Sequence, residues 1–168
     1  MIMKLSDLVC VSENVNLDDY LELYDYVRDN MEHPEWLGTF SREEIVDIIN
    51  NGGKIWLYYD EDNLVCSMFY IPVKNKTLRK HNITYDETDT GSLGPIMVSP
   101  LYVGNGLQRQ MMDVLDNYCK SINKKYIFTK VHSDNLYSIN NIIKNGYVLT
   151  HEYINERGKN SAFIKINR

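Results

Sequence analysis

The stretch Val98-Ser99-Pro100-Leu101-Tyr102-Val103-Gly104-Asn105-Gly106-Leu107-Gln108-Arg109 constrains this chain more than any other. An apolar strand ends in it, and a turn with two glycines follows. A helix from about Gly106 to Ser121 then begins, carrying Leu107, Met111, Val114, Leu115 and Tyr118 on one stripe. A strand that turns through glycines into a helix converges main-chain N–H groups at the positive end of the helix dipole. No side chain obstructs them, and such donors suit a phosphate. A plain strand-to-helix turn would look the same from residues 104–106 alone. Two commoner phosphate loops are excluded. Leu107-Gln108 follows the second glycine where a P-loop has Lys-Ser/Thr, and Arg109 stands where a dinucleotide fingerprint needs its third glycine.

The rest of the chain predicts a mixed α/β (α+β) fold. Residues 8–12 read as a short strand. Asn16 caps a first helix with Asp18 and Asp19 in its first turn, and His33-Pro34 ends it. Ser41 and Glu44 form a capping box for a second helix, which Gly52-Gly53 stops. Residues 54–59 and 64–73 flank the turn Asp60-Glu61-Asp62-Asn63 as a hairpin. Residues 74–91 are polar and irregular and read as a long loop. Residues 92–100 form a strand carrying Gly94-Pro95, which cannot donate a full ladder and so predicts a bulge or a parting from a neighbour.

A buried strand at 126–131 precedes a helix from Asn135 to Asn145, with Leu136, Ile139 and Ile143 inward and Gly146 just past its end. Residues 147–154 and 161–166 pair through a turn near Arg157-Gly158. The expectation is a central mixed, splayed sheet of about six or seven strands flanked by about four helices. With 168 residues there is ample chain for one core and too little for two ordinary domains, so 1–168 reads as a single domain.

Composition narrows the function. A net charge of −5 argues against a nucleic-acid binder working through a basic face and favours a cationic partner. No apolar run approaches the ~20 residues of a membrane span, and the first residues lack the pattern of a secretory signal. Cys10, Cys66 and Cys119 are too few and scattered for a disulfide framework or a zinc site. They read as small hydrophobes, no metal is expected, and a reducing cytoplasm fits.

From Val98 onward the chain resembles the acetyl-CoA-dependent GNAT N-acetyltransferase family. The shared features are Val98-Ser99-Pro100, Gly104-Asn105-Gly106, Asn135 with Ser138, and Gly146-Tyr147, and the resemblance covers about residues 92–154. It implies that the N–H groups of Gly104, Asn105, Gly106, Leu107, Gln108 and Arg109 hold the coenzyme A pyrophosphate. Backbone groups of Ile96, Met97 and Val98 would pair with the pantetheine arm as if it were a short strand. Asn135 and Ser138 would contact the arm or the thiol end; an ordinary helix cap is the other reading of Asn135.

The sequence departs from the family pattern at Leu101, where Gln or Arg is usual, at Asn105, where a base is frequent, and at Ile142. That last position usually carries the tyrosine that protonates the leaving thiolate. The resemblance implies acetyl transfer to an amine of a small molecule or protein by direct attack in a ternary complex. The oxyanion would meet a strand N–H near Val98.

An amine with pKa ~10.4 must be presented neutral, so a base is needed. His132 is a candidate base and Tyr137 a candidate acid, although Tyr137 sits about 140° around the helix from Ile142. Tyr102, Tyr147 and Tyr153 also stay in play as acids. Asp86, Glu87 and Asp89 could draw in a cationic acceptor or simply form a solvated loop, and Trp36, Tyr85 or Trp56 could line its site, with core packing the favoured reading of Trp56. The alternative function is an acyl-CoA-binding sensor that has lost turnover. The sequence leaves oligomeric state open, a homodimer included.

Overall fold

The computed structural model describes residues 2–168. In chain order the elements are β1 (Val9–Val11), α1 (Leu17–Asp29), α2 (Arg42–Asn50), β2 (Lys54–Asp60), β3 (Asn63–Pro72), α3 (Asn75–Lys80), β4 (Thr90–Val98), α4 (Leu107–Ser121), β5 (Tyr126–His132), α5 (Leu136–Lys144), β6 (Val148–Asn155) and β7 (Gly158–Ile166). Short 3-10 turns occur at Leu5–Asp7, Pro34–Trp36 and Pro100–Tyr102. The seven strands form one mixed open sheet in the order β1-β2-β3-β4-β5-β7-β6. Contacts group the described residues into two compact units. One holds those up to Phe69 with Pro95–Met111, the other Tyr70–Gly94 with Met112–Arg168.

In the first unit, Asn16 caps α1 by accepting the N–H groups of Asp18 and Asp19, and Tyr20, Leu23, Tyr24 and Val27 are its buried face. The ring of Tyr20 meets Phe69 of β3 edge-on at 5.4 Å. The capping box of α2 forms as the sequence predicts, Ser41 Oγ accepting the Glu44 N–H while Glu44 accepts that of Ser41. Gly53 ends this helix of necessity: a Cβ there would lie 2.3 Å from Ile48 Cγ2. Strands β1 and β2 pair antiparallel with Cys10 opposite Tyr58. Cys10 is exposed, because β1 is an edge strand of three residues. Cys66 is buried, and Trp56 is a core residue, not part of a binding surface.

In the second unit, β5 pairs with β7 along its whole length, and β6 returns against β7 with a bulge between Leu149 and His151. The expected long loop at 74–91 is corrected. Helix α3 forms there, because Leu78 and Ile83 pack with Val73, Phe128 and Ala162 in one core cluster. Asn75 and Glu87 close the segment reciprocally, each side chain accepting the other's backbone N–H, and Asp86 accepts from both Thr88 N–H and Oγ. Hydrogen bonding from Thr88 holds the Asp86 carboxyl below its ordinary value. Two of the three carboxylates read as a lure for a cation are therefore engaged in shaping their own segment.

The inward face of α5 is also corrected. Leu136 and Ile143 are 65% and 55% exposed, whereas Asn141 and Ile142 are buried. The helix end explains this rotation. Tyr147 N–H bonds back to Ile142 O and Gly146 N–H to Ile143 O, the paired bonds of a Schellman motif, with Gly146 at φ 104°. That motif sets Ile142 and Tyr147 on the same side, and both are buried.

Candidate functional site

Within the first unit, β4 ends at Val98 and the chain turns through Pro100–Tyr102 and Val103 into the two glycines. Ser99 is nearly buried; its N–H donates to Val65 O of β3 at 2.8 Å, and its Oγ caps the 3-10 turn at Leu101 N–H. Gly104 has φ +90° and Gly106 φ +69°, backbone that side-chain-bearing residues rarely adopt. A Cβ on Gly104 would meet nothing within 4 Å, and one on Gly106 only Gln110 Nε2 at 3.9 Å. The space over the turn is thus open, and the glycines are required by their dihedrals alone.

Gln110 N–H bonds to Gly106 O at 3.2 Å and so starts the ladder of α4. Helix geometry gives the N–H groups of Leu107 and Arg109 no carbonyl one turn back. These donors point out of the helix start, where the dipole adds positive potential. Leu107 is buried, anchoring the turn, and Arg109 is exposed.

A cleft of about 310 Å³ in the same unit is lined in part by Ser99, Leu101 and Tyr102, just before the glycines in the chain. Its walls include the carboxylates of Asp19, Glu22 and Asp62 together with Leu23, Tyr26 and Tyr102. Tyr59 donates to Asp19, and Tyr102 donates to Asp60 at 3.1 Å. Desolvation, reinforced by that bond, keeps the Tyr102 hydroxyl above the usual tyrosine range, so it stays protonated. Trp36 stacks on His33 at 4.4 Å.

The second unit places the remaining predicted residues. The ladder of β4 with β5 covers Thr90, Gly91 and Ser92 opposite Tyr126, Ile127 and Phe128. At the next position Thr129 Oγ1, a side chain, donates to Leu93 O at 3.1 Å. The pairing therefore ends before the Gly94-Pro95 step at which the sequence expects a parting. Asn135 accepts the Ser138 N–H at 3.3 Å and caps α5.

His132 is buried, its Nε2–H donating to Arg157 O at 2.9 Å and its Nδ1 accepting Asp134 N–H at 3.2 Å. Both ring nitrogens thus bridge backbone groups, and Nδ1 also lies 4.0 Å from the Asp134 carboxylate. Tyr137 is 62% exposed. Tyr147 is fully buried, which holds its hydroxyl well above the ordinary range. Tyr85 stacks on Tyr126 at 3.5 Å. Among the described residues no cluster of His, Cys, Asp or Glu could hold a metal ion.

The comparisons with known proteins agree with this frame. The family model described as Acetyltransferase (GNAT) family matches residues 18–147. The chain belongs to this family. With that membership goes acetyl-CoA-dependent N-acetyl transfer. No curated protein sequence matches the chain.

Similar folds occur among solved structures. The chain is 13% identical to smu.2055 from Streptococcus mutans UA159, with TM-score 0.72 over 95% of this chain and 99% of that one. It is 12% identical to an N-acetyltransferase from Staphylococcus aureus Mu50, with TM-score 0.71 and the same coverage. It is 14% identical to the spermidine N-acetyltransferase from Vibrio cholerae solved with CoA and spermine, with TM-score 0.68 over 96% of each chain. At these identities the likeness shows the fold.

The GNAT glycine turn was legible from its spacing. The sequence reading missed Gln110, whose amide is folded onto the turn. Its only signal was a position four residues after Gly106, one helical turn on.

Proposed function

We propose that this GNAT protein passes the acetyl group directly to a cationic amine in a ternary complex. In this reading the turn Gly104–Arg109 holds the diphosphate of acetyl-CoA. The fit rests on the turn itself: positive-φ glycines with open space above them, at the start of a helix whose dipole favours an anion. Acetyl-CoA supplies the activated acetyl thioester.

The backbone groups of β4 would hold the pantetheine arm. Ser99 N–H is spent on Val65 of β3, and successive N–H groups along a strand point to opposite edges. By that alternation Val98 and Ile96 turn their N–H and C=O groups away from β3, whereas Met97 turns its own toward it. The arm-binding role falls to Ile96 and Val98, and Val98 N–H is the donor for the oxyanion. Arg109 adds one exposed positive charge. His132 is assigned to structure, not to proton transfer. Asn135 closes its own helix. The buried Ile142 has no ionisable group, so it cannot supply the proton for the thiolate.

A cationic acceptor is supported by the net charge of −5 and by the carboxylates of the cleft that Ser99, Leu101 and Tyr102 also line. Free-thiol release from acetyl-CoA, measured with a panel of polyamines, monoamines and peptide amino termini, tests the reading. Turnover that favours polycations is expected. Tight CoA binding with no release for any amine would mark a sensor instead.

A further inference from the structure

From the hydrogen bonds around the glycine turn we infer that Asn105 and Gln110 are positioning residues, clasping the N-terminal segment to the turn and so setting its grip on a diphosphate. The inference rests on the phosphate-binding reading of that turn. Each of the two amides faces both ways. Asn105 Oδ1 accepts the Met3 N–H at 2.9 Å while its Nδ2 donates to Tyr102 O at 2.8 Å. Gln110 Oε1 accepts the Leu5 N–H at 2.7 Å while its Nε2 donates to Asn105 O at 3.1 Å and Gly106 O at 3.2 Å.

The carbonyls of residues 102, 105 and 106 are therefore all occupied from inside the protein. This matters for an anion site. A glycine turn is free to flip its peptides, and a flip presents a carbonyl oxygen, which repels phosphate, where an N–H had attracted it. Tying the carbonyls down fixes the N–H groups outward in advance, so less ordering remains for the ligand to impose. The segment at residues 3–5 supplies the other end of each clasp, and it is anchored by Leu5, which is buried. Both amides are neutral, and neither is spent on the ligand.

The test compares wild type with Gln110→Leu and Met3→Pro. Gln110→Leu removes one clasp entirely. Met3→Pro deletes only the N–H that Asn105 accepts, at a residue away from the turn. Binding of CoA, of 3′,5′-ADP and of pantetheine is measured by calorimetry, and KM and kcat are measured with acetyl-CoA. In Gln110→Leu, CoA and 3′,5′-ADP should bind about tenfold more weakly, pantetheine should be unchanged, and KM should rise with kcat within twofold. Met3→Pro should show the same pattern at about threefold. Unchanged CoA affinity in both variants overturns the clasp and leaves the diphosphate site standing. Equal loss for CoA and pantetheine also overturns it, because that marks general damage. Wild-type protein that binds neither CoA nor 3′,5′-ADP overturns the diphosphate site and the clasp together.

Discussion

Helix α4 follows β4 through a glycine turn and α5 follows β5 through a short one, and the two finish their first turns in opposite ways. At α5 the chain spends its own side chains. Asn135 takes the Ser138 N–H, and His132 takes that of Asp134. At α4 the residue before the helix is Gly106, which has no side chain to offer, and the neighbouring amides of Asn105 and Gln110 turn to carbonyls and to the N-terminal segment. A capped helix start is stable by itself. A start left to outside acceptors is less stable alone, and a bound anion supplies what is missing. On the proposed reading, the difference separates a structural helix start from a binding one.

The largest effect should come from closing the open start. Gly106→Glu places a bulky carboxylate over the turn at φ +69°, adding strain, steric block and like charge. CoA affinity should fall by at least about 100-fold, roughly 2.7 kcal/mol. Thermal shift on adding CoA reads the outcome, and a retained shift would break the comparison on the α4 side. Circular dichroism of the variant checks that the fold survives the strain.

The reverse holds at the other start. His132→Leu leaves Arg157 O and Asp134 N–H without their partner, at a cost of about 1–3 kcal/mol. The melting temperature should drop, while the pH profile of kcat/KM for the folded protein keeps its inflections. Loss of a basic limb from that profile would return His132 to the role of general base. Asn135→Ala should cost about 1 kcal/mol as a lost cap. Its effect on CoA affinity should stay within about twofold by calorimetry. A tenfold loss would mean that Asn135 serves cap and ligand together, and the two starts would differ less than their geometry indicates.

How much of this contrast the sequence carried depends on the residue. Gly104 and Gly106 were legible, because positive φ and a strand-to-helix turn ask for glycine and little else satisfies them. The caps at Asn16, Ser41 and Asn135 were legible because capping is local chemistry. Helix α3 was missed because its polar residues conceal Leu78 and Ile83, which gain their meaning only from Phe128 and Ala162 far along the chain. The face of α5 was misjudged because three isoleucines and a leucine fit more than one stripe. The Schellman bonds at Tyr147 and Gly146 choose among those stripes, and they close at the end of the helix. Gln110 was missed for the same reason: its partner Leu5 lies 105 residues away.

The smallest expected effect is the most exacting for the α4 side. Arg109 is exposed, and it is the cation within the turn-and-helix segment to which a charge-based account would assign the diphosphate. A solvent-exposed ion pair is worth about 0–1 kcal/mol and is screened within about 8 Å at physiological salt. If main-chain donors carry the binding, Arg109→Ala should weaken CoA about threefold at low salt and less than twofold at high salt. Calorimetry across a salt series separates this from a loss approaching that of Gly106→Glu. A loss of that size would mean that a side-chain charge holds the diphosphate, and the open helix start would then be incidental to it.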